Sequence, residues 1–426
     1  MSKRLQASAL FYAITVVLIV GMMMSSLVLL THFRNLSAIR WVNKQRINEN
    51  CRSAAYLALG HAQDRHGVVR TDLYGDGSDS VETQVIPWGV FDLVHARAWI
   101  GDQETNALGL AGALFEMRRV LDLHRSSGPL HVCGDARIRG NVRIPQADVR
   151  RGHIEGKPFT GDQPVEGDVM RAANEQLRLR TDLEQEVEEG CRGAYLGELL
   201  PIESGPDRTI RSSHEGLQDG VLSMRFSGPT HLSGYRIHGP MVIQCNDTLF
   251  IDATNELHLV IIQAPFIRVG SGARFSAQCF ASAGIHLEAE AELRFPSVLA
   301  IWHDSRSSTA ARIRLDSGSV VEGAVIAVDR SVRNRDQASI LIEPGATVLG
   351  EVFAEGAVQH SGTVKGVIHA NELILRTASS MYRGYLMDGV IERFDLGKPW
   401  GVSCTGNGIE RTILEWEPSK AQREES

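Results

Sequence analysis

Fifteen histidines, 51 carboxylates and six cysteines supply this 426-residue chain with groups for acid–base, metal or nucleophilic chemistry. Their spacing decides whether they do any. The histidines are dispersed, and no His-Glu-x-x-His, Gly-x-Ser-x-Gly, P-loop or EF-hand pattern occurs. Cys51, Cys133, Cys191, Cys245, Cys279 and Cys404 form no Cys-x-x-Cys pair, so neither a zinc ribbon nor a thioredoxin-like site is read. An even count permits disulfides and does not require them. Cys245 and Cys279 fall in apolar slots of a repeat, where a thiol acts as a small hydrophobe. His303 with Asp304 beside it is the only general-base candidate, but sequence neighbours on a loop rarely form a dyad. A carbohydrate-cleaving face needs carboxylates and bases aligned over several turns of chain. Asp252, Glu288, Glu290, Glu292 and Asp316 do not recur in one column with a Lys or Arg. Catalytic, cofactor-binding and metal residues are therefore assigned to none.

The remaining chemistry is cationic. Arg306 and Arg312 sit in one inserted segment, and Arg330, Arg333 and Arg335 in the next. The two insertions interrupt neighbouring repeats after a similar point, so they are expected to emerge close together. There they would hold an anionic glycan, a lipid head group or an acidic partner; solvated loops are the simpler reading.

The elements that position these residues are read from an internal repeat. Nine-residue windows begin at Leu249, Ile267, Ile285, Ile313 and Ile340. The first three starts are 18 apart, and the next steps are 28 and 27. Inside lies a period of six: Ile237, Ile243, Leu249, Asn255, Ile261, Ile267, Ala273, Cys279, Ile285 and Ala291, with partners two residues on from Gly239 through Gln263 to Leu293. Residues i and i+2 of a strand share a face, and a turn then redirects the chain. Three such sides close a coil of 18 residues, and coils stack. A further mark, Gly-x-[Val/Ile]-x-Ala, recurs at Gly323, Gly350 and Gly366. His131–Ile144 has the same texture and reads as the first coil. Residues 168–200 interrupt the pattern with a helix or loop whose acidic end is a solvated face.

At the other end, Ala7–Leu30 is 24 residues without a charge. A helix of that length reaches roughly 36 Å, enough to cross about 30 Å of hydrocarbon. A cleaved signal peptide is the competing reading. Loose helical spacing continues from Leu36 to Leu59, so one helix is expected to run from the membrane to about His61.

The fold class expected is mainly β: an N-terminal transmembrane α-helix, a small β-rich membrane-proximal module, and a right- or left-handed parallel β-helix of 18-residue coils. The boundaries read are 1–66 for anchor (about 7–30) and juxtamembrane helix, 67–127 for the β-rich module, 128–376 for the β-helix with its insertion near 168–200, and 377–426 for a C-terminal cap. A net charge of −7 and aromatics at 6% give no support for nucleic-acid binding or sugar stacking.

Two resemblances attach to these segments. The short basic tail, the apolar helix continued as a polar one and the Asn50-to-Gly60 end resemble type IV pilin-like proteins, especially minor pilins. Met241–Leu375, and above all Glu343–Leu375, resembles bactofilins, the polymer-forming bacterial scaffolds. Ile340–Val348 is also similar to hexapeptide-repeat acyltransferases. Together these imply a non-catalytic, single-pass protein of the bacterial inner membrane with its C-terminal domain on the periplasmic side. Its partners would be membrane lipid through the helix and other envelope or pilus-like subunits, with self-association and without nucleic acid. The alternatives are an adhesin or glycan-binding module and, after those, an acyltransferase or a β-helical carbohydrate-active enzyme.

Overall fold

An apolar helix continued by a polar one, then strands alternating in and out, is the order of elements in the computed structural model. It describes residues 3–60, 67–75, 77, 79–114, 118–125, 128–173, 175–195, 198–199, 208–211, 221–303, 311–330, 337–394, 401–406 and 410–418. The chain is mainly β and divides into two compact units. One holds residues 1–84, 95–107 and 418–426, the other 85–94 and 108–417.

The first unit is built on α1, Lys3–Gly60, a single 58-residue helix. Neither Pro nor an unpaired turn interrupts it, because no residue between Leu5 and Leu59 fixes a non-helical φ. The large apolar side chains of its first half are exposed from Leu10 onward: Leu10, Phe11, Met22, Met23, Val28 and Leu29 all face outward. Its second half buries Ile47, Cys51, Ala54, Ala55 and Leu59, an i, i+4, i+7/i+8, i+12 stripe. The Cys51 thiol lies 3.7 Å from the carbonyl oxygens of Ala96 and Thr105, which locates that stripe on the strands of the same unit. Val69–Asp72 pairs antiparallel with the start of Ser80–Trp88, Val69 opposite Thr83. The parts of Phe91–Ile100 and Gln103–Ala113 that belong to this unit, 95–100 and 103–107, follow in sheet order. Gly89 and Gly101, at φ 62° and 61°, occupy the tight turns between the first of these, where a side chain would be strained.

The second unit is a ladder of parallel strands. Leu249 stands opposite Ile267, Ile267 opposite Ile285, Ile285 opposite Ile313 and Ile313 opposite Ile340. These are the five window starts read from the repeat. The ladder's inner core is continuous from Met224 and Leu232 through Ile267, Leu293 and Val325 to Val364 and Ile391. Not every inward expectation holds. Ile243 pairs with Ile262, and Ile262 with Cys279. Those steps are 19 and 17 residues, so Ile261 and Gln263 turn outward while Val260, Ile262 and Ala264 join the core. The register shifts where Gly239 and Pro240 stand opposite Leu259 alone, at φ 57°, as in a bulge. Nor is the repeat length fixed: Val348 pairs with Val364, a step of 16.

The order of strands differs from the order of the sequence. His131–Ile144 was expected to open the stack, but it lies beyond the last C-terminal repeat. Leu121–Leu123 pairs with Ile368–Ala370, Arg137–Arg139 with Val390–Glu392, and Leu130–Cys133 with Tyr385–Met387. Val142–Ile144 then pairs with Val169–Arg171, the outermost strand at that end. The segment expected as a terminal cap is divided: Val390–Glu392 continues the ladder against Thr363–Lys365, whereas Arg411–Pro418 joins the antiparallel sheet. The physical reason is edge pairing. A terminal rung presents unpaired N–H and C=O groups, and a segment of either end of the chain can satisfy them.

Candidate functional site

One outer face of the ladder is apolar, which the sequence signals only as runs with no alternation, such as Val298–Trp302 and Ala324–Val328. Phe280, Ala300, Ile326 and Phe353 stand in register on successive rungs, followed by His369, Asp122 and Arg143. A second helix, α2 (Thr181–Cys191), covers the start of this column with Leu183, Val187 and Cys191. A Cβ on Gly190 would meet the Phe280 ring at 2.5 Å, so only glycine lets the helix lie this close. Within the interruption read at 168–200, Thr181–Cys191 is a packed helix with an acidic outer side, and Val169–Arg171 is a strand.

The far end of the column is polar and buried. Arg143 donates to both Asp122 oxygens at 2.6 Å, and Arg119 reaches the same carboxylate at 3.2 Å. The His369 ring lies 3.5 Å from Asp122 on one side and 3.5 Å from Glu351 on the other. Burial alone would raise the Asp122 carboxyl. Hydrogen bonds from His124, His369 and Arg143 outweigh it and hold the group well below the carboxylate range. Glu351 is pushed up by burial, which the His369 charge and the Cys404 N–H offset only in part. A histidine between two acids is the raw material of proton transfer. Here, however, Asp122 is taken up by Arg143 and Arg119, and the glutamates beyond it are backbone acceptors. Glu351 takes the Cys404 N–H at 3.1 and 3.0 Å, Glu355 the Leu179 N–H at 3.1 Å, and Asn371 the Leu177 N–H at 3.2 Å. These three side chains lace two extended segments, around 177–179 and 402–404, onto the ladder. Sequence reasoning missed them; the one signal was an acid or amide inside an otherwise apolar run.

Of the cationic residues singled out, Arg306, Arg333 and Arg335 lie outside the described residues. Arg312 and Arg330 have different surroundings. Arg330 is committed: it pairs with Glu184 at 2.7 Å and Glu355 at 3.4 Å and lies 4.8 Å over the Trp302 ring. Arg312 lines a cleft of about 170 Å³ with Gln337, Ala338, Leu341, Gln359, Ile374 and Arg376. His303 is buried, 3.2 Å from Asp329 on the neighbouring rung; Asp304 lies outside the described residues. The surface carboxylates do have bases, on adjacent rungs for His231 with Asp252, Arg268 with Glu288, Arg274 with Glu292 and His286 with Asp316, and on the same rung for Arg314 with Asp316 and Arg294 with Glu292. Such exposed pairs contribute about 0–1 kcal/mol each and show no catalytic grouping. Among the described residues no cluster of His, Cys, Asp or Glu has metal-site geometry, and all six cysteines are free and buried.

No protein-family model matches the chain. No curated protein matches it either. Among solved structures, the competence-associated pilin ComZ from Thermus thermophilus is similar at 10% identity and a TM-score of 0.23, over 83% of this chain and 86% of that one. A likeness that slight carries no argument. One helix among the described residues, Ala9–Gly60, is long and apolar enough to cross a membrane.

Proposed function

We propose that the chain is a membrane-anchored, non-catalytic envelope subunit of pilin-like design, which presents a parallel β-helix. The observation that carries this reading is the division of α1. Its first half offers an uninterrupted apolar surface to lipid or to other such shafts, while its second half is seated on strands of its own unit. A β-helix is supported by the parallel registers, in which Leu249, Ile267, Ile285, Ile313 and Ile340 follow one another rung by rung around one inner core. A non-catalytic role is supported by the use of the buried acids as backbone acceptors. End-to-end polymerisation in the bactofilin manner is disfavoured, because Leu121–Leu123, Arg137–Arg139 and Val142–Ile144 occupy the edge that the last repeats would offer to another copy.

The experiment is a fusion of alkaline phosphatase to the C-terminus of the full chain in a bacterial host. Activity is expected, since the enzyme matures only outside the cytoplasm. An inactive fusion that becomes active as a cytoplasmic reporter would overturn the pilin-like reading in favour of an internal scaffold.

A further inference from the structure

We propose that the cleft between Arg312 and Arg376 binds a small phosphate-type oxyanion. The argument starts from what the two guanidinium groups lack. Other arginines on the ladder's exposed faces carry a carboxylate: Arg314 has Asp316 and Glu343, Arg268 has Glu288, Arg274 and Arg294 have Glu292. Among the described residues Arg376 has no carboxylate partner, and the polar contact of Arg312 is the Gln337 side-chain carbonyl at 3.0 Å. Burial first, then the charge of Arg376 and then that of Arg314, push the Arg312 guanidinium down. Two cations held together without a counter-charge are unfavourable unless something anionic joins them.

The lining adds the rest. Gln337, by accepting from Arg312, keeps its amide N–H groups free to donate, and Gln359 adds another amide on the facing strand. The floor is apolar: Ala338 and Ile374 are buried, and Leu341 is half-buried. A floor of that kind lowers the local dielectric and strengthens charge recognition above it. The volume of about 170 Å³ admits one tetrahedral oxyanion with a few waters, each water taking about 30 Å³. Two planar forks facing one cleft suit the several oxygens of a phosphate better than a single point charge would. The positions are fixed by the ladder and not by a loop, since Arg312 opens the strand Arg312–Leu315 and Arg376 closes Thr363–Arg376.

A phosphate group could reach this cleft as the free anion or on a lipid or polymer head group, and the test separates the two. Full-length protein in detergent is titrated calorimetrically with inorganic phosphate, with glycerol phosphate and with acetate. Saturable binding of phosphate is expected, weaker at high salt because exposed charges are screened. Arg376→Gln and Arg312→Gln should each weaken it at least tenfold, about 1.4 kcal/mol, while Arg274→Gln leaves it unchanged. Arg376→Lys keeps the charge without the fork and should fall between. Tighter binding of glycerol phosphate than of phosphate assigns the site to a head group; the reverse assigns it to the free anion. Arg376 is exposed, so its variants keep the parent melting temperature and the comparison remains one of binding. The proposal is overturned if neither phosphate probe binds saturably, if the two Gln variants bind as the parent does, or if acetate binds equally well.

Discussion

Asp122 and His360 set opposite ends of the same pH dependence. The Asp122 carboxyl is held low by His124, His369 and Arg143 against the upward pull of burial. Its folded value lies below its unfolded one, so its contribution is present above about pH 4 and is lost as pH falls below that. His360 is displaced from 6.5 to about 4, chiefly by burial, although its Nε2–H donates to the Val390 carbonyl at 3.0 Å. A depressed histidine stabilises fully above about pH 6.5 and progressively less down to its folded value. Glu351 works the other way: its raised carboxyl costs stability as pH rises past the usual carboxylate range. Melting temperature should therefore begin to fall below pH 6.5 and fall faster below pH 4, and His360→Phe should flatten the first part. Asp122→Asn should cost about 2–3 kcal/mol at pH 7, because Arg143 and Arg119 lose their counter-charge while retaining partial access to water. Equal denaturation midpoints for parent and Asp122→Asn would contradict this account. None of it was legible in the sequence. Asp122 meets His369 and Arg143 only because the ladder brings both ends of the chain together, and no local spacing encodes that.

Among elements, the strands were the most readable and the covering pieces the least. The inward positions followed from the i, i+2 rule and a period of six, and most of them line the core. They slipped at Ile261 and Gln263 because Leu259–Ile262 is apolar at every residue, which hides the phase of the bulge. The Gly-x-[Val/Ile]-x-Ala mark proves to be a column. Gly323, Gly350 and Gly366 stand in register with φ between 142° and 152°, and a Cβ on each would lie within 2.0 Å of the carbonyl oxygen on the rung before it. Gly350→Ala is expected to cost roughly 2–4 kcal/mol from strained φ and overpacking together. Ile267→Asp should cost at least as much, since Ile267 is fully buried and an unpaired charge there has no partner. Chemical denaturation of both variants against an exposed control, Arg274→Gln, checks the pair. If Gly350→Ala unfolds at the parent's midpoint, the glycine column is not what permits the rungs to approach.

At the scale of the whole molecule, the sequence showed a shaft and a repeat but not the path between them. The chain lays the strands Leu121–Leu123 to Val169–Arg171 at the sequence-last end of the ladder, passes through α2, and only then builds the rungs from Glu198–Leu199 and Arg208–Arg211 onward. Register with distant strands decides this, and composition is blind to it. The anchor is different, because length and hydropathy alone determine what it can do. Leu10 to Leu30 is exposed at every large apolar side chain, and it carries no charge that salt could screen. Transfer of such side chains from water to hydrocarbon stabilises by about 25 cal/mol per Å², summed over roughly 20 residues of helix. High ionic strength strengthens that effect and does not weaken it, whereas adsorption through surface charge fades within a Debye length of about 3 Å at 1 M salt. The full chain should therefore stay with the membrane pellet through carbonate at high pH and through 1 M salt, and leave it only in detergent. A variant with Val16, Val20 and Val28 changed to Asp places three charges at hydrocarbon depth, each costing about 2.5–3.5 kcal/mol, and should appear in the soluble fraction with its ladder still folded. Release of the parent chain by carbonate, or a soluble form whose first residue lies after Leu30, would mean that this helix is a leader and that the ladder works free of the membrane.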